Sequence, residues 1–437
     1  MASMPSVDAS LEYKTTFEEW IKSREISCWG TNSGAEAIAF QSWRHFKEAF
    51  APELIRTAVE ESPIPVKRCL DPFGGSGTTA LACQFLGVHP VTVEVNPYLA
   101  DLIESKLTTY DPMELSRELG GLINRSYSVL PNIEQMIREA PITLCEPGDG
   151  ERWIFNRDIS ERLACLLQAI SEVKNNTHAR FFRSILGGVL VSASNIVING
   201  KGRRYRRDWK GKPPQAGYLD TLFRDAAVNA IGDITRYGNR KFLDFTLYRG
   251  DSRELAKCAG EIDLCVFSPP YPNSFDYTDV YNVELWALGY LSSKEDNRTL
   301  RNETLSSHVQ IHRQYASAPG TSALLNDVLN QLKERRSLLW NKNIPEMVGA
   351  YFADLLSVIA GVKSNLRDNG TMWIVVGDSK YAGIAIPVAK ILIEILIEDG
   401  WRLLRNEPFR SMRVSAQQGG QLGLDETLIV FQRAVDA

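Results

Sequence analysis

The sequence predicts a doubly wound α/β sheet split by a large helical insertion. Three observations predict it. Short apolar runs end at a glycine-rich turn around Gly75 and at a double-proline turn at Pro269-Pro270. Helical stretches lie between such runs, the alternation that builds a parallel sheet. That alternation lapses from about 105 to 244, where the pattern reads as helices and loops. A chain of 437 residues is too long for one ordinary core, which fits a sheet interrupted by added structure.

Taken in order, the first strand is 66–70 and stops at Asp71-Pro72. Phe73-Gly74-Gly75-Ser76-Gly77 turns the chain, and a helix opens at Thr78-Thr79. A second strand follows at 91–95. Within the lapse, amphipathic stretches run over 159–173 and 218–237. Strands resume at 245–247, 264–267 and 371–376. The most apolar stretch is 384–397, but Lys390, Glu394 and Glu398 form one polar stripe at spacing four. A surface helix is therefore expected there, not a membrane span. Strands at 401–405 and 427–431 close the pattern. The expected division is a core of 1–110 with 246–437, and an inserted, mostly helical region of 111–245.

Composition narrows the function classes. Hydrophobic residues make up 44% and charged residues 23%, values of a globular protein. A net charge of −4 excludes wholesale coating of a polyanion, so any nucleic-acid contact must come from a local basic surface. The seven cysteines (28, 69, 83, 145, 165, 258 and 265) never form CxxC. A disulfide framework or structural zinc site is not expected, and a reducing compartment is. Residues 1–12 carry no signal-peptide pattern, which makes a cytoplasmic protein the expectation.

The glycine turn sits at the carboxyl end of a strand, where open α/β sheets bind ligands. Glycine permits close backbone approach and positive φ, and the following helix presents unpaired N–H groups. The spacing fits neither GxGxxG nor GxxxxGK[ST]. Glu94 ends the next strand, where an acid can accept hydrogen bonds from both ribose hydroxyls of a nucleoside.

Ser268-Pro269-Pro270-Tyr271 closes the strand 264–267. Two prolines cannot extend a ladder and set a rigid, extended turn. The Ser268 side chain and the Pro269 carbonyl become fixed acceptors at the sheet edge. Two such acceptors around the N–H bonds of an aromatic amino group draw its planar nitrogen towards tetrahedral geometry. Positioning and electrostatics then supply most of the rate. Tyr271 offers an aromatic face for an extruded base.

These segments together resemble the S-adenosylmethionine-dependent DNA amino-methyltransferases that modify cytosine N4 or adenine N6. The resemblance rests on Phe73-x-Gly75-x-Gly77, on Ser268–Tyr271 and on Gly250-Asp251-Ser252-Arg253. It extends to the segment from Trp43 to Pro52, to Gly377-Asp378-Ser379 and to the run from Glu426 to Phe431, spanning about 25–105 and 245–435. It implies a Rossmann-like class I methyltransferase sheet. It also implies S-adenosylmethionine as cofactor, held by Phe50, Pro52, Asp71, Pro72, Phe73, Gly75, Gly77, Thr78, Thr79, Glu94 and Asp251. Asp251 matches the family's adenine-contacting acid, and Ser268, Pro269, Pro270 and Tyr271 are the implied catalytic residues. Ser at the first tetrapeptide position goes more often with cytosine N4, and adenine N6 is the alternative.

The resemblance places target recognition in the insertion. Residues 201–212 there carry seven positive side chains and one negative. Lys201, Arg203, Arg204, Arg206, Arg207 and Lys210, interleaved with Tyr205 and Trp209, suit phosphate contact and base stacking. Double-stranded DNA is the implied partner, which would make the protein nucleoid-associated when bound. Restriction–modification or phage defence is the family's usual setting; no endonuclease motif is evident, so cleavage would need a partner protein. A second polar segment, 297–321, is expected as a mobile loop near DNA. Its His308 and His312 lack the Glu of HExxH, and no metal site is expected. An RNA base methyltransferase and a catalytically silent DNA-binding adaptor are the remaining alternatives. The adaptor would show an eroded glycine loop, Glu94 or tetrapeptide, and none is eroded.

Overall fold

The computed structural model describes residues 14–434, except 25, 27–28, 31–36, 45–48, 131, 139, 200–201, 212–213, 274–275 and 414–421. Along the chain, α1 (Phe17–Ile21) and α2 (Pro52–Glu60) precede β1 (Arg68–Asp71), α3 (Thr78–Leu86), β2 (His89–Glu94) and α4 (Pro97–Leu107). Five helices follow: α5 (Pro112–Ser128), α6 (Ile133–Ile137), α7 (Arg157–Ser171), α8 (Asn176–Leu190) and α9 (Ala216–Tyr237). Between the last two lie β3 (Ile196–Asn199) and β4 (Gly202–Tyr205). The sheet resumes with β5 (Thr246–Arg249), α10 (Ser252–Leu255) and β6 (Ile262–Phe267). Next come α11 (Tyr277–Val280), α12 (Asn282–Ala287), α13 (Lys294–Asn302), α14 (Ala323–Glu334) and α15 (Ile344–Asn365). The chain ends with β7 (Leu366–Gly377), β8 (Ser379–Tyr381), β9 (Ile384–Ile386), α16 (Val388–Glu398), β10 (Trp401–Arg413) and β11 (Leu422–Arg433).

Seven strands form one sheet in the order β10-β11-β7-β6-β1-β2-β5. The five strands from β7 to β5 are parallel, and β11 runs antiparallel to both β7 and β10. This is the Rossmann-like, doubly wound sheet that the sequence predicts. Chain order reverses between β1 and β6, because β1 leads outward to β2 and β5 before the chain returns to β6 on its other side. Such a switch point opens a crevice at the carboxyl ends of the strands. The glycine turn follows β1 and the proline turn follows β6, so the two motifs flank that crevice.

Strand alternation divides the interior into two apolar layers. Leu264 and Val266 of β6 face the layer built from α1 to α4 and the inserted helices. Cys265 and Phe267 face the layer built with α14, α15 and α16. The inserted helices thus share a core with the sheet. Their approach is close: a Cβ on Gly187 would stand 2.3 Å from the Tyr98 ring, and one on Gly188 would stand 2.0 Å from the Trp43 carbonyl oxygen. Helix α15 is long and apolar enough to cross a membrane, but it packs in the second layer with 67% of its most apolar window buried.

Three expectations are corrected. The lapse is not only helices and loops, since β3 and β4 pair as a hairpin that carries part of the basic run. Four apolar-rich residues, Ile196–Asn199, are too short a run to stand out from helix. The stretch 384–397 is not one helix: its first residues pair with β8, and the helix begins only after Pro387. The final strands are also longer than expected, because β10 and β11 continue as paired arms as far as Arg413 and Leu422.

Candidate active site

Asp71 ends β1, and its carboxylate accepts the Phe73 backbone N–H at 2.9 Å, starting the turn. The Gly74 amide donates to the Val93 carbonyl at 2.9 Å, seating the turn on β2. Closeness there demands glycine, since a Cβ on Gly74 would lie 2.4 Å from Thr92 Cγ2. Gly77, at φ +83°, then delivers the chain into α3.

Glu94, buried at the end of β2, accepts the Gly75 N–H at 2.7 Å through one oxygen and the Asn96 N–H at 2.8 Å through the other. Asn96 in turn caps α4, accepting the Tyr98 and Leu99 amides, and Pro97 fills the first helical position. Burial pushes the Glu94 carboxyl up to about 7 and that of Asp71 up to about 6. The far end of α4 also reaches the turn: Lys106, fully buried, donates to the Ser76 carbonyl at 2.7 Å. Burial lowers this ammonium to about 7.

Across the crevice, the Ser268 hydroxyl lies 3.2 Å from the Tyr271 hydroxyl, which donates to Glu426 Oε1 at 2.8 Å. Glu426 stands on β11, at the point where it passes the end of β7. The Tyr381 hydroxyl of β8 donates to the Pro272 carbonyl at 3.0 Å and braces the turn.

A cavity of about 340 Å³ joins both motifs. Of the sequence-predicted residues, Phe50, Asp71, Pro72, Phe73, Gly75, Thr78, Thr79, Glu94, Asp251, Ser268, Pro269, Pro270 and Tyr271 line it. Pro52, which opens α2, and Gly77 are not among the lining residues. Asp251 caps α10 and is bound by the Arg253 guanidinium at 2.6 Å, so its carboxylate already has a cationic partner. The wall also carries Glu303 and Glu426. Among the described residues, five acids line the cavity and no Lys or Arg does, an arrangement that suits a cationic ligand.

Sequence reasoning missed Glu426 as a site residue, Lys106 beneath the turn, and the wall formed by Thr278, Tyr281, Leu305 and His308. Glu426 is brought in by an antiparallel strand from the far end of the chain, and a lone lysine on a helix ordinarily reads as solvated. His308 departs from the expected loop near DNA. It is buried, 3.8 Å from Asp276 Oδ1 and 3.3 Å from the Arg313 guanidinium. Burial drives its imidazole down to about 4, so it is neutral at physiological pH.

In the basic run, Lys201 lies outside the described residues. Arg206 donates to the carbonyls of Val191, Ser192 and Ser194 and locks the hairpin to the end of α8. Arg203 pairs with Asp279 at 2.9 Å, tying β4 to α11 beside the cavity wall, and Lys210 pairs with Glu151 at 2.7 Å. Tyr205 stacks on Trp209 with ring centroids 4.9 Å apart, and Trp209 meets Trp153 edge-on. Arg204 and Arg207 are exposed.

A family model described as DNA methylase (N6_N4_Mtase) matches residues 9–105. The chain is 26% identical over 435 residues to the Type II methyltransferase M.BsoBI of Geobacillus stearothermophilus, covering 88% of this chain and 83% of that one. It is 27% identical over 394 residues to the Type II methyltransferase M.AvaI of Anabaena variabilis, covering 83% and 79%. Both alignments exceed what 25–105 and 245–435 together hold, so they run into the insertion. Over a shorter stretch of 81 residues, identity to the Type II methyltransferase M.XycI of Xanthomonas campestris pv. cyanopsidis reaches 40%, covering 18% of this chain and 25% of that one.

Proposed function

We propose that this chain is a DNA amino-methyltransferase, like the Type II methyltransferases it is similar to over most of its length, and that it methylates the exocyclic amino group of a base extruded from duplex DNA, with cytosine N4 as the target. S-adenosylmethionine supplies the methyl group as an activated sulfonium. One observation carries the reading: Ser268–Tyr271 and the Gly75–Glu94 turn share one cavity at the switch point of the sheet.

The residues fit the donor. Its sulfonium and ammonium are cationic, and the wall is acidic. Each Glu94 oxygen holds one backbone N–H and keeps a lone pair for a ribose hydroxyl. Phe50, Phe73 and Leu99 offer apolar surface for an adenine ring. Ser268 and the Pro269 carbonyl orient the amino group, and Tyr271 stacks on the base.

Insertion 111–245 is the target-recognition region in this reading, with the hairpin at the cavity rim. Arg204 and Arg207 contact phosphate, while Arg203, Arg206 and Lys210 hold the hairpin in place. The Tyr205–Trp209 pair serves the hairpin's own packing unless DNA parts it.

The test is to express the protein, digest the cell's DNA to nucleosides and identify the product by mass spectrometry. N4-methylcytosine is the expected product. N6-methyladenine alone would overturn the choice of base, and methylation confined to tRNA or rRNA would overturn the choice of DNA.

A further inference from the structure

Methylation of an amino group leaves a surplus proton on nitrogen, and the residues around Ser268 provide a route for it. We infer that Glu426 is the terminal acceptor of that proton, reached through Ser268 and Tyr271; this rests on the methyl-transfer reading above.

A phenol has one proton, and that of Tyr271 points to Glu426 Oε1 at 2.8 Å. At the 3.2 Å contact, the Ser268 hydroxyl is therefore the donor and the Tyr271 oxygen the acceptor. The Ser268 oxygen is left with lone pairs directed to a substrate N–H. Each member donates to the next, and the chain ends on a carboxylate beside the cavity.

The step balances. The amino nitrogen's lone pair forms the new N–C bond, and the C–S pair leaves with sulfur, which becomes a neutral thioether. The N–H bond pair stays on nitrogen as its proton passes to Ser268 Oγ. The Ser268 proton passes to the Tyr271 oxygen, and the Tyr271 proton to Glu426. Sulfonium and carboxylate charges disappear together, so no net charge is created inside the site. Glu426 is also well placed to stay put: it sits on the β11 ladder opposite Gly377 and is buried.

Other titratable groups surround it. Asp425 is its chain neighbour, and Asp378 follows Gly377, its amide bonded to the Asp425 carbonyl. Across the cavity are His308, Glu303, Asp251, Asp71 and Glu94. A pH limb in the rate therefore needs assignment by substitution.

Glu426→Gln keeps an oxygen to accept the Tyr271 hydrogen bond but cannot take up a proton. Single-turnover methylation of duplex DNA should slow by about 10²- to 10³-fold at neutral pH. The dependence of that rate on pH at its acidic limb should flatten, and Tyr271→Phe should flatten it too. Duplex affinity, read by calorimetry, should stay within about threefold, and the rate is compared at saturating donor, because the substitution removes one acid from the wall that faces the cationic donor. In the ligand-free protein, the phenol carbon resonance of labelled Tyr271 should move when its acceptor changes from carboxylate to amide.

A Glu426→Gln protein with the wild-type rate and an unchanged acidic limb overturns the inference. So does a loss confined to donor or DNA binding, which would make Glu426 a positioning residue. An unmoved Tyr271 resonance denies the hydrogen bond and overturns it as well. If the wild type methylates no base while the resonance does move, the methyl-transfer reading fails and the relay fails with it, although the bonded chain remains.

Discussion

Glu94 and Asp71 are carboxyls held in the protonated range by burial, at about 7 and about 6. The sign of the consequence follows from linkage. In the ligand-free protein both values lie above those of the unfolded chain. Between about pH 4 and 7 the native state therefore binds more protons than the unfolded state, and these groups' contribution to stability is lost as pH rises through that window. Asp378, raised to about 6 by burial, acts in the same sense. His308, lowered to about 4 by burial, acts in the opposite sense below about pH 6.5. The melting temperature of the ligand-free protein should therefore fall across this range by less than the three carboxyls alone would give, as read in a thermal scan. Donor binding runs the other way, because ribose hydroxyls and a sulfonium favour ionised carboxylates. Affinity should improve by roughly tenfold from pH 6 to pH 8, with proton release visible when calorimetry is repeated in buffers of different ionisation enthalpy. A donor affinity that weakens over this range would mean that Glu94 meets the ligand protonated.

Helix α8 shows how an element's sequence is set by what it touches. Gly187 and Gly188 lie against Tyr98 and the Trp43 carbonyl, so Gly188→Ala should destabilise the protein by about 1–3 kcal/mol in denaturant unfolding. Gly232, within α9, faces open space, and Gly232→Ala should stabilise by about 0.5–1 kcal/mol through helix propensity. The hairpin separates two kinds of arginine in the same way. Replacing Arg204 and Arg207 with Ala should weaken DNA binding and lower the slope of log affinity against log salt by about 2. Arg206→Ala instead strands three carbonyls and should cost about 1–3 kcal/mol of stability. Equal salt slopes for wild type and double variant would move the DNA surface elsewhere.

At the scale of the whole molecule, what was legible in the sequence was what local chemistry announces. Apolar runs ending at Gly74-Gly75 and at Pro269-Pro270 marked the strands around the switch point, and Glu94 was visible because it closes such a run. What was illegible arrives through tertiary structure. Glu426 meets Tyr271 only because β11 turns back alongside β7, and His308 reaches the cavity from a polar segment that carries no periodicity. Lys106 is buried because α4 is covered on its outer side by inserted helices, which no pattern within α4 itself reveals. The hairpin β3–β4 was hidden by brevity.

Helix α4 has a further consequence. Its first turn is tied through Asn96 to Glu94 and pressed at Tyr98 by α8 of the insertion, and its last turn is tied through Lys106 to Ser76. Two neighbouring residues of the glycine turn, Gly75 and Ser76, thus hang on one strut that the insertion leans against. If duplex DNA shifts the insertion, it shifts the donor site, and thermodynamic reciprocity then demands the converse. The factor by which duplex alters donor affinity must equal the factor by which donor alters duplex affinity, and two calorimetric titrations in opposite order measure both. Widening the contact, as Gly187→Ala would by pushing on Tyr98, should bring that common factor towards unity while each ligand still binds.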